Sequence, residues 1–103
     1  KEGNPGLVPY SMSKAALIGM TKAYAKEVAT RGILVNSVAP AVIETEILAQ
    51  VSDEVKEYMI SKIPMGRVGQ PEEVAELVLF LSSESCSFST GFCYDISGGR
   101  ATY

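Results

Sequence analysis

Thr30-Arg31-Gly32-Ile33-Leu34-Val35-Asn36-Ser37-Val38-Ala39-Pro40 decides the fold. Its first three residues read as a helix end, because Arg31 suits the negative end of a helix dipole and Gly32 suits a left-handed cap. Ile33 to Ala39 is almost continuously apolar and rich in β-branched residues, and Pro40 closes it; this predicts a short strand. Near-continuous apolarity places such a strand in a parallel sheet covered on both faces.

Upstream, from about Ser11 to Ala29, Leu17, Met20, Tyr24 and Val28 recur at helical spacing with no Pro between them. Ala15, Ile18, Gly19 and Ala23 form a second face of mostly small residues. A helix apolar on two faces is buried on both or pressed against a partner. Downstream, Glu44 to Ile63 reads as a broken helix, with Ser52 as an N-cap before Asp53-Glu54. Pro64 to Gln70 reads as a loop. Pro71-Glu72-Glu73 has the composition of a first helical turn, and Val74, Leu77, Val78 and Leu81 continue it as an apolar stripe. Phe92 to Ile96, between Thr90-Gly91 and Ser97-Gly98-Gly99, reads as a last strand. A strand, a helical crossover and a second strand make one right-handed βαβ unit, so the class is α/β.

The 103 residues suffice for one domain, and 47% apolar with 20% charged residues excludes wholesale disorder. A net charge of −3 without long runs of like charge argues against a nucleic-acid surface or a polybasic membrane anchor. No apolar stretch approaches the ~20 residues of a membrane span. Cys86 and Cys93 are too few for a disulfide framework and read as small hydrophobes. The absence of histidine removes His-based general bases and His-ligated metals. A cytoplasmic protein is expected. Lys1-Glu2-Gly3-Asn4-Pro5-Gly6 opens without Met and reads as the middle of a surface loop, so the chain is expected to begin partway through a larger protein.

Without a phosphate-cradling glycine motif, the chemistry that remains is Tyr-x-x-x-Lys, which occurs at Tyr10–Lys14 and at Tyr58–Lys62. On a helix these positions share a face, and an ammonium beside a phenol favours phenolate and lowers its pKa. A tyrosine so tuned is a usable general acid or base. Tyr58 and Lys62 lie among Asp53, Glu54 and Glu57, where a solvated amphipathic face is the better account. Tyr10 opens a helix straight after a Gly/Pro loop, where a substrate can reach, and Ala15-Ala16 after Lys14 leave room for another backbone.

Pro9-Tyr10-Ser11-Met12-Ser13-Lys14-Ala15-Ala16 resembles the active-site helix of the short-chain dehydrogenase/reductase family. Residues 31–40 are similar to that family's next strand, and Val42-Ile43-Glu44-Thr45 resembles the cofactor-contacting segment after it. Ile63-Pro64-Met65-Gly66-Arg67 with Pro71-Glu72-Glu73-Val74-Ala75 resembles the approach to the last helix, and Thr90-Gly91 with Asp95-Ile96-Ser97-Gly98-Gly99 the final strand. The ordered set covers essentially the whole chain.

The resemblance implies the C-terminal part of a Rossmann-type doubly wound parallel sheet, residues 1–103 being the latter part of a single oxidoreductase domain. It implies NAD or NADP as cofactor and interconversion of a ketone and a secondary alcohol, as in 3-oxoacyl-carrier-protein reductases or, second, sugar or polyol dehydrogenases. Tyr10 would exchange the proton with a small-molecule carbonyl or alcohol. Lys14 would bond the nicotinamide ribose and lower the Tyr10 pKa, so both would also touch the cofactor. Backbone groups around Pro40 and Ile43, with the Thr45 hydroxyl, would hold the carboxamide; Asn36 would serve structure. A homo-oligomer, a tetramer by resemblance, is expected, with Leu17, Met20 and Tyr24 divided between core and interface. Two departures stand out. Ala41 replaces the family's glycine, and the family's cofactor loop and catalytic Asn and Ser fall before Lys1. The 103 residues alone are therefore not expected to turn over. A reading from another class, a non-catalytic piece contributing packing or subunit contacts, would be distinguished by the upstream sequence.

Overall fold

The structure, a computed structural model, describes residues 8–101, and of residues 8 and 10 the backbone alone. The surface loop expected at residues 1–6 lies outside the described residues. Helix α1 spans Val8–Val28 and tightens into a 3-10 turn, Ala29–Arg31. Gly32 ends it at φ 75°, its N–H donating to the Ala29 carbonyl, the left-handed cap that the sequence predicts.

The buried line on α1 is Thr21, Ala25 and Val28. Of the predicted large-residue stripe only Val28 is buried, while Leu17, Met20 and Tyr24 are 44%, 54% and 50% exposed, so these three contribute no core here. Size misleads because contact is set by close approach. A Cβ on Gly91 would sit 3.3 Å from the Ala25 Cβ, so two small residues let the helix and the 89–92 turn meet. The small-residue face at residues 15, 18, 19 and 23 is not buried either.

Strand β1 is Ser37–Pro40 and strand β2 is Cys93–Ile96; they pair in parallel with Ser37 opposite Cys93 and Pro40 opposite Ile96. The predicted strand over 33–39 is thus too early at its start. Val35 and Asn36 meet the 89–92 turn through one backbone bond, Gly91 N–H to the Val35 carbonyl (2.7 Å), and through side chains in place of a regular ladder. Val35 N–H donates to Thr90 Oγ1 (2.9 Å), while Asn36 donates from Nδ2 to the Ser89 carbonyl (3.0 Å) and accepts at Oδ1 from Phe92 N–H (3.1 Å). This is why a polar residue interrupts the apolar run. The sheet is also less covered than expected. Ile33 and Leu34, which carry much of the apolarity signal, are exposed, and β1 is half-buried with Pro40 exposed. Bonds from Ser37 N–H to Phe92 O and from Ala41 N–H to Ile96 O bracket the ladder. Alternation then turns residues 37, 39 and 41 toward β2, and Val38 and Pro40 toward the opposite edge. Pro40 therefore removes no bond from this pair.

The crossover holds α2 (Glu46–Ala49), α3 (Asp53–Ser61) and α4 (Pro71–Leu81). The broken helix of the sequence is two helices, each with a hydroxyl N-cap: Thr45 accepts from Leu48 N–H, and Ser52 from Val55 N–H, both at 3.3 Å. Pro71 opens α4 as predicted. Leu48, Ile63, Cys86 and Cys93 join Ala25 and Val28 in a small core, with both cysteines free. Among the described residues no helix is long and apolar enough to cross a membrane.

Candidate functional site

In open parallel sheets, ligands bind outside the carboxyl ends of the strands. At that end of β1 the chain runs through Ala41, which has no positive φ, so its β-carbon brings no strain and its departure from glycine is harmless to the backbone. Ile43 forms an isolated parallel bridge with Gly69, made by Gly69 N–H to Val42 O (2.9 Å) and Glu44 N–H to Gly69 O (2.8 Å). Parallel pairing by the flanking residues turns Ile43's own N–H and C=O away from Gly69. Among the described residues neither has a hydrogen-bond partner. Two residues on, Thr45 spends its oxygen on the α2 cap and keeps its hydroxyl hydrogen to donate. One donor–acceptor pair on the backbone plus a hydroxyl is the complement of a planar carboxamide. The residues present fit a nicotinamide, and Lys56 steadies the segment from α3 at 3.9 Å from Glu44.

Tyr10 and Lys14 stand one turn apart at the start of α1, Lys14 exposed; the Tyr10 side chain lies outside what is described. Pro40 is the last residue of β1, and Ile43 and Thr45 lie on the segment that follows it. The second Tyr-x-x-x-Lys has a different geometry. Lys62 Nζ lies 5.2 Å from the centroid of the Tyr58 ring, and Tyr58 is 65% exposed. The ammonium covers the ring face on a solvated helix, a surface cation–π pair.

Three residues have a role that the sequence reading, which took 64–70 as a loop and Glu73 as part of a first helical turn, did not assign. Arg67 grips Glu73 with two bonds, Nη1 to Oε1 at 2.8 Å and Nη2 to Oε2 at 3.0 Å. Glu73 Oε1 also accepts from Gln70 N–H at 2.9 Å, the return half of a capping box. The Arg67 hydrogen bond first, then the Gln70 amide, hold the Glu73 carboxyl down at about 2, and Glu73 raises Arg67 in turn. The third residue is Gly69, where an added Cβ would lie 2.8 Å from Ile43 Cδ1. Glutamate at the third position after Gln70, with Pro71 between, was the signal available. A cavity of about 270 Å³ opens between this loop and the strand ends, lined by Val42, Arg67, Glu73, Asp95, Ser97 and Gly98 among others.

A model of the family described as enoyl-(acyl carrier protein) reductase matches residues 1–101. The chain is 50% identical, over 103 residues, to a 2-dehydro-3-deoxy-L-rhamnonate dehydrogenase (NAD(+)) of Sphingomonas sp. (strain SKA58), covering all of this chain and 41% of that protein. It is 54% identical over 97 residues to a 3-oxoacyl-[acyl-carrier-protein] reductase of Aquifex aeolicus (94% of this chain, 39% of that protein). To the reductase of the same name from Thermotoga maritima it is 50% identical over 97 residues, with 94% and 39% covered. The chain spans about two-fifths of the length of the curated relatives it matches.

Proposed function

The chain belongs to the short-chain dehydrogenase/reductase family, and from that premise we propose that it is the C-terminal part of a single Rossmann-fold oxidoreductase domain that interconverts a ketone and a secondary alcohol with NAD or NADP. The observation that carries the reading is the segment after β1, where the Ile43 N–H and C=O and the Thr45 hydroxyl offer a carboxamide its complement. The outward-turned groups of Val38 and Pro40 support a sheet that continues past β1. The nicotinamide, when bound, supplies or accepts the hydride.

The rest falls to the side chains. Tyr10 gives its hydroxyl proton to the carbonyl oxygen during reduction and takes it back during oxidation. Lys14, one turn along the same helix face, favours the phenolate that this exchange leaves and bonds the ribose. The Pro40–Ile43 backbone and Thr45 would hold the carboxamide and so orient the ring. A 3-oxoacyl group on a carrier protein is the substrate class we favour, and similarity to a rhamnonate dehydrogenase supports a sugar-acid or polyol alcohol as the second. The working protein is a cytoplasmic homotetramer.

The test is Tyr10→Phe in the whole enzyme. It keeps the ring and removes the proton, so kcat should fall by about 10²- to 10⁴-fold with nucleotide affinity little changed. Tyr58→Phe should be nearly silent. Equal losses from the two substitutions would overturn the assignment.

A further inference from the structure

The loop at 63–70 touches the carboxyl ends of both strands. On one side Gly69 bridges Ile43 through two backbone bonds. On the other, Met65 N–H donates to the Gly98 carbonyl at 3.1 Å, and a Cβ on Gly98 would meet Ile63 Cγ2 at 2.7 Å. The loop contains Gly66 at φ 74° and has no helix or strand of its own to stiffen it. Besides its backbone bonds it is tied by the Arg67 fork on Glu73, whose carboxylate also accepts from Gln70 N–H. Glu73 lies in the first turn of α4, so the fork ties the loop to a helix, and Gly69 sits between the two ends of that tie.

We infer that Arg67 and Glu73 are positioning residues, acting through the Gly69–Ile43 bridge to hold the Val42–Glu44 backbone where it receives the nicotinamide carboxamide. The fork sets where Gly69 lies, Gly69 sets where Val42 and Glu44 lie, and Ile43 between them presents its N–H and C=O outward. A side chain at position 69 would have to displace the end of the Ile43 side chain, since its Cβ would lie 2.8 Å from Ile43 Cδ1. The inference rests on the nucleotide-binding role proposed above.

The experiment uses the whole enzyme, with NADH and NADPH as fluorescent probes. Glu73→Gln keeps an oxygen for the Gln70 amide and removes the ionic fork. It should weaken binding of the preferred nucleotide roughly tenfold, raise the nucleotide KM in parallel, and leave kcat at saturation near wild type, since misplacing a binding group mainly costs the complex it builds. Hydrogen exchange at the Gly69 and Glu44 amides should quicken in that variant while α1 amides stay unchanged. Arg67→Lys should fall between wild type and Arg67→Ala. Gly69→Ala should weaken binding by a similar factor, and Gly69→Ala/Ile43→Val, which removes the obstructing Cδ1, should recover it. Glu72→Gln, beside the fork but outside it, should match wild type. Nucleotide affinity and both amides unmoved in Glu73→Gln and Gly69→Ala, with wild type binding normally, would overturn this inference and leave the proposed function standing. A wild-type enzyme that binds neither nucleotide would overturn both.

Discussion

Glu73 shows how much one exposed carboxylate can be shifted by geometry alone. Its carboxyl sits at about 2 against an ordinary 4.5, with Arg67 as the first cause and the Gln70 amide as the second. A depressed carboxyl stabilises the fold fully above pH 4.5 and loses that contribution as pH falls through about 2. The pair is open to solvent, so salt screens it. An NMR titration of the Glu73 carboxyl should give a midpoint near 2 that Arg67→Ala moves back toward 4.5, and high salt should move it part of the way. A wild-type midpoint near 4.5 would mean that the fork does not persist in solution. The two Tyr-x-x-x-Lys pairs make the complementary point. Spacing alone does not separate them, and the ammonium lying over the Tyr58 ring agrees with the surface reading of that pair.

At the scale of elements, what the sequence revealed was whatever is decided locally. Gly32, Ser52 and Pro71 mark helix ends because a cap answers to its own few residues, and each stands where the pattern puts it. The start of β1 was illegible because its first residues bond to a turn more than fifty positions away through Asn36 and Thr90. The buried face of α1 was illegible for the same reason, since Ala25 gains its place from Gly91. The Gly69–Ile43 bridge was illegible too, because it is a long-range pairing with no local signature. Asn36 offers the test. Asn36→Ala strips a donor and an acceptor from the 89–92 turn and should destabilise the enzyme by about 1–3 kcal/mol in urea unfolding. An unchanged midpoint would show that water replaces both bonds at no cost.

For the molecule as a whole, the chain exposes 7458 Å², where a compact chain of 11.0 kDa would expose about 5,600 Å². Its radius of gyration is 15.5 Å against about 13 Å for a compact domain of this length. Leu79 and Phe80 on α4, Phe92 beside β2, and Leu17, Met20 and Tyr24 on α1 all remain in solvent. So open a structure has too little buried apolar surface to offset the entropy of ordering it. The 103 residues expressed alone should therefore give no sharply unfolding, soluble monomer by sedimentation and thermal melting, whereas the whole enzyme should sediment as an oligomer. A cooperative monomer of these residues would show that the covering surfaces are dispensable.

The bracket that Asn36 forms with Ser89 and Phe92 also sets a clock. Asn36 and the Ser89 carbonyl are 53 residues apart, and a ribosome adding about 5–20 residues each second needs roughly 3–10 s to cover that distance. For those seconds Ile33, Leu34 and Val35 have left the peptidyl transferase centre before the 89–92 turn is made, and the first strand cannot yet pair with the second. Slow codons within the crossover would lengthen the interval in which this apolar segment lacks its turn.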